Sequence, residues 1–79
     1  MARHVLERIF ATAAHESHLV RNGVAEHTVY VRGRAWAVAL LASRWARRAA
    51  QRRETLRGVV RVEFFDQGSG AVVVWRERV

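Results

Sequence analysis

The chain contains no cysteine, no proline and no lysine. Without cysteine, disulfides and thiolate metal sites are excluded, and redox compartment leaves no mark. No low-complexity linker or internal repeat divides the 79 residues. They amount to one domain, residues 1–79, near the lower size limit for a core without covalent staples. Long apolar runs are missing as well. The longest, Ala35 to Ala42, has eight residues, far short of a bilayer span. Arg3, His4, Glu7 and Arg8 interrupt the apolar positions at the start, which argues against a signal peptide. The expected location is the cytoplasm, with no membrane partner.

Every basic residue is an arginine, 14 in all. Guanidinium suits bidentate contact with phosphate or carboxylate. However, Ala, Arg, Val and Gly supply 45 of the 79 residues, the imprint of a GC-rich genome. The choice of arginine over lysine therefore carries no functional argument, whereas the placement of the arginines does.

That placement is uneven. Residues 1–31 balance Arg3, Arg8 and Arg21 against Glu7, Glu16 and Glu26. Residues 58–79 balance Arg61, Arg76 and Arg78 against Glu63, Asp66 and Glu77. Between them, residues 32–57 hold eight arginines against Glu54 alone, which accounts for the whole net charge of +7. Concentrated positive charge favours an anionic partner: nucleic acid, a nucleoprotein complex or an acidic protein face.

Periodicity supplies the expected elements. Val5, Leu6, Ile9, Phe10 and Ala13 lie on one helical face, predicting a helix over residues 2–14. Asn22-Gly23 has two readings. It closes a longer helix, with Gly23 in the left-handed position, or it turns a hairpin between residues 17–21 and 24–31. Residues 18–21 alternate poorly for a strand, so the longer helix is preferred. Residues 28–31 read as a strand. Val38, Leu41, Ala42, Trp45 and Ala49 form the buried stripe of a long helix over 34–56, capped near Gly58. Residues 59–65 and 71–78 read as a hairpin about a Gly68-Ser69 turn, with Gln67 facing Gly70. That register builds a core from Val60, Val62, Phe64, Val73 and Trp75. The expected fold is α+β: a split β-α-β layer, a small antiparallel or mixed three-stranded sheet of order 1-3-2, with one long arginine-rich helix and an N-terminal helix.

At 100° per residue, Trp36, Leu40, Arg44, Arg47 and Gln51 fall on one side of the long helix, with Arg48 and Arg52 on its border. These seven residues are the candidate binding face, an arginine row with an aromatic platform and an apolar anchor. The competing reading is a solvated helix face. His15-Glu16-Ser17-His18 has its histidines three apart, where a metalloprotease helix needs four, so no metal site or cofactor is expected. A catalytic function is not expected either. A compact ribonuclease, with His15 or His27, Glu26 and an arginine as its acid-base set, is the one enzyme class the chain could serve, although no spacing demands it. Gly68-Ser69-Gly70 is too short to cradle a phosphate.

In size and layout the chain resembles the small inhibitors that phages and mobile elements direct at host defences, anti-CRISPR proteins among them. The shared features are one very short domain, no catalytic signature, a hairpin-closed sheet and one long helix. The resemblance implies a non-enzymatic inhibitor that binds a nucleoprotein effector. Many such inhibitors are acidic DNA mimics, whereas this chain is basic. It would therefore dock on an acidic or RNA-bearing surface, or touch the nucleic acid itself. A stand-alone nucleic-acid-binding module is the neighbouring alternative, and a homodimer is left open.

Overall fold

The computed structural model describes residues 10–79. The elements are β1 (Ala11–Arg21), β2 (Val24–Gly33), α1 (Ala35–Gln51), β3 (Thr55–Phe65) and β4 (Gly70–Arg78). All strand pairs are antiparallel, in the order β1-β2-β4-β3. Among residues 11–79, one helix and one four-stranded antiparallel sheet therefore stand where a three-stranded sheet was expected. Residues 2–9 of the expected N-terminal helix lie outside the described residues, and its remainder from Ala11 onward is strand.

Asn22-Gly23 forms the hairpin turn, not a helix end. Both residues have positive φ (53° and 77°), the backbone of a two-residue turn matched to strand twist. Arg21 pairs directly with Val24 across it. The poor alternation of residues 18–21 has a simple cause. β1 is an edge strand exposed on both faces beyond Ala13, so no buried face imposes a period of two. A bulge at Ala14, between the pairs Ala13–Val31 and His15–Tyr30, further breaks the pattern.

Helix α1 lies on one face of the sheet. Its stripe Ala37, Val38, Leu41, Ala42 and Ala49 is buried against Val29 and Val31 of β2 and Ala71, Val73 and Trp75 of β4. Trp45 is half-buried at the margin. The helix stops at Gln51, five residues short of the expected end, and without a glycine. The Thr55 hydroxyl donates to the Ala49 carbonyl (2.8 Å), and the Arg52 N–H donates to the same oxygen (3.2 Å). These bonds satisfy a carbonyl that the last turn leaves open. Thr55 and Leu56 then belong to β3. Gly58 is not a cap but part of an irregularity in that strand, where Arg57 and Gly58 have φ of 59° and 65°.

The β3–β4 hairpin is shifted by two residues from the expected register. Phe65, not Gln67, faces Gly70, and Val62 faces Val73. The connection is a longer turn in which Asp66, Gln67 and Gly68 all have positive φ. Gly70 admits this register because it has no side chain: a Cβ there would sit 2.2 Å from the Phe65 ring. Of the expected core, Val73 and Trp75 are buried, whereas Val60, Val62 and Phe64 are 46, 38 and 52% exposed. β3 is an edge strand, and among the described residues only Val59 of its apolar side chains packs against the core.

Candidate arginine face and adjoining groove

The seven sequence-predicted binding residues divide into two groups. Trp36, Arg47 and Gln51 are exposed on the outer side of α1, with Leu40 half-buried beside them. The Trp36 ring lies 5.3 Å from that of Phe10 and keeps 51% of its surface open. Arg44, Arg48 and Arg52 follow one another every four residues, so they line up along one flank.

That flank overlooks a groove between α1 and β1. Ala11, Thr12, Ala13, Leu41, Arg44, Trp45 and Arg48 enclose about 310 Å³. Trp45 also borders a second hollow of about 300 Å³, which includes His18, His27, Arg52 and Glu77. The groove exists because β1 extends past the side of the helix. Its residues Glu16, His18 and Val20 share the helix-side face of the sheet with Ala13 but remain exposed.

Position on the wheel decides what each arginine does. The Arg48 guanidinium carbon lies 5.3 Å from the centre of the Trp45 ring, a cation–π contact. Arg52 turns back to the sheet, with its Nε 2.8 Å from Glu77 Oε2. It is a structural residue at the helix end as much as a candidate contact. Arg47 projects to solvent. The 17 residues of α1 include no Asp or Glu, so nothing on the helix itself neutralises its charge.

A second cluster, not anticipated in the sequence, closes the far end of the groove. His27 Nε2 approaches Glu77 Oε1 at 2.6 Å, with both side chains nearly buried. The His27 ring stacks on Trp75 (5.1 Å, 13°) and meets His18 edge-on at 4.4 Å. Trp75 in turn stacks on Trp45 at 5.9 Å. His18 and His27 are nine residues apart, and Glu77 follows fifty residues later. Only the register, in which His18 pairs with His27 and His27 with Trp75, brings them together. The available signal was the Asn22-Gly23 hairpin, which makes His18 and His27 cross-strand partners.

The ribonuclease residue set named from sequence is not assembled. His15 stands on the opposite sheet face against Tyr30 (5.8 Å), and Glu26 Oε2 accepts from Arg76 Nε at 3.1 Å. His27 is paired with Glu77 instead, and both its ring nitrogens are buried. Among the described residues, no group of three or more His, Asp or Glu is placed to hold a metal ion, and no helix is long and apolar enough to cross a membrane.

The carboxylate of Glu77 holds this end of the groove together. Glu77→Ala is expected to destabilise the fold by about 1–3 kcal/mol, because the buried His27 Nε2 loses its close contact with the Glu77 carboxylate and Arg52 loses its ion pair. Arg52→Ala should cost less than about 1 kcal/mol, since Arg52 is half-exposed and its ion pair is screened. Urea denaturation of both variants checks the order, and Glu77→Gln should recover part of the loss. An Arg52 effect equal to that of Glu77 would contradict this assignment. Comparison with protein-family models, curated proteins and solved structures finds no match to the chain.

Proposed function

We propose that this chain is a non-enzymatic binding domain that engages nucleic acid, free or within a nucleoprotein complex, through the arginine side of α1. The supporting observation is the helix itself: Arg44, Arg47 and Arg48 stand on a rod without an acidic residue. Trp36 stands one end of that rod away, half-open to stacking. Arginines in line along a rigid element can follow a phosphate backbone, and a neighbouring aromatic ring accepts a base without selecting its identity. An inhibitor directed at a nucleoprotein effector would use the same side. A ribonuclease reading has less support, because the imidazole with a carboxylate partner is the buried one and its nitrogens do not reach the groove surface.

Fluorescence anisotropy with labelled single-stranded and duplex oligonucleotides tests the reading. Binding should weaken linearly with log salt, with a slope of about −0.7 to −0.9 per phosphate contacted. The double reversal Arg44→Glu/Arg47→Glu should abolish binding while thermal melts show the fold retained. Trp36→Ala should weaken it by roughly 1–3 kcal/mol. Reversal of Arg76 and Arg78 on β4 should matter much less, because both stand on the sheet face opposite α1. If the strand arginines prove essential and the helix arginines silent, the sheet is the working surface and this proposal is wrong.

A further inference from the structure

The sheet has two open edges, β1 and β3, and they differ in character. β1 carries a bulge and mostly polar side chains on both faces. β3 runs from Arg61 to Phe65 in unbroken register with β4, and it exposes Val62 and Phe64 on the helix side. An exposed edge with apolar side chains is a template for another strand, and charged residues usually discourage such pairing. Here the charges have the opposite effect.

Residues directly opposite one another share a face of the sheet, so a two-fold axis perpendicular to it can pass only through particular residues of β3. An axis at Arg61 sets that arginine against itself, and one at Glu63 sets that glutamate against itself. Like charges directly opposite are destabilising. An axis at Val62 sets Arg61 opposite Glu63 of the second copy, Glu63 opposite Arg61 of the second copy, and Val62 against its own counterpart. Within one chain Arg61 Nη1 lies 3.7 Å from Glu63 Oε1, both side chains being about half-exposed. Such a pair contributes little by itself, and in the paired edge the four charges alternate in sign around the axis.

We infer that β3 is a self-association edge: two copies of this chain pair antiparallel about Val62 and join their sheets into one of eight strands. The irregularities at Arg57-Gly58 and Val60 limit regular pairing to a short segment. The interface therefore belongs to the small, concentration-dependent class. This inference does not depend on what α1 binds.

Sedimentation equilibrium on the full chain from micromolar to millimolar concentration tests it. The wild-type mass should rise toward that of a dimer. Arg61→Glu alone and Glu63→Arg alone should each weaken association by about tenfold or more, since each places like charges opposite one another twice. The double exchange Arg61→Glu/Glu63→Arg should restore the dimer. An equimolar mixture of the two single variants should form a one-to-one heterodimer, which also shows that both are folded. A wild-type chain that stays monomeric throughout overturns the inference. So does a dimer that the single reversals leave unchanged, since it would form through another surface.

Discussion

Trp75→Ala is expected to destabilise the protein by about 3–5 kcal/mol, the range for removing a buried tryptophan. Trp75 is 5% exposed, lies between the Trp45 and His27 rings, and sits on β4, one of the two inner strands and buried on both faces. Its loss would leave a cavity under the helix and remove both stacking contacts. Small domains have roughly 0.05–0.15 kcal/mol of stability per residue, so the variant should lose roughly a quarter or more of the total stability. Each kcal/mol shifts the melting temperature by roughly 4–8 °C at this size. Differential scanning calorimetry measures the shift directly. Melting within a few degrees of the parent would remove Trp75 from the core.

Gly33→Ala should be comparably damaging, for a backbone reason. Gly33 has φ of 151°, and a Cβ there would meet the Phe10 carbonyl oxygen at 2.0 Å and Ala11 Cα at 2.5 Å. The strained φ alone costs roughly 1–3 kcal/mol, and overpacking against backbone adds roughly 1–3 kcal/mol. The position is a junction. The Gly33 N–H donates to the Ser69 carbonyl (3.0 Å) and the next N–H, of Arg34, donates to the Phe10 carbonyl (2.8 Å). The end of β2, the start of β1 and the β3–β4 turn therefore meet where α1 departs. Gly23→Ala is the matched control, since nothing lies within 4 Å of its added Cβ and only the turn φ is strained. Chemical denaturation should show Gly33→Ala several-fold more destabilising than Gly23→Ala. Equal effects would show that backbone conformation alone matters at both sites.

Burial decided which elements were legible in the sequence. The helix stripe at Val38, Leu41, Ala42 and Ala49 is written at helical spacing because a sheet covers it. The strand at 28–31 lies inside β2, where Val29 and Val31 face the core and alternate with more exposed neighbours. β1 has no such imprint, since the helix leaves its polar half uncovered, and its sequence favours a longer helix that the structure replaces with a strand. Val62 and Phe64 carry the imprint of a core without its burial. Their alternation places them on the helix side, yet both remain exposed.

The sequence by itself determined the concentration of charge within residues 32–57, of whose arginines only Arg44, Arg47 and Arg48 fall on α1, the apolar stripe that seats that helix, and the absence of any motif that demands catalysis or a metal. These are local properties, set by composition and by the helical period. Tertiary structure alone decided where that helix ends, because the bonds from Thr55 and the carboxylate of Glu77 come from the strands that follow it. It also decided the hairpin register through Phe65 over Gly70, and the meeting of His18, His27 and Glu77. Each depends on contacts between residues far apart in the chain, and strand pairing fixes such contacts only after a shift of one or two residues has been ruled out by packing.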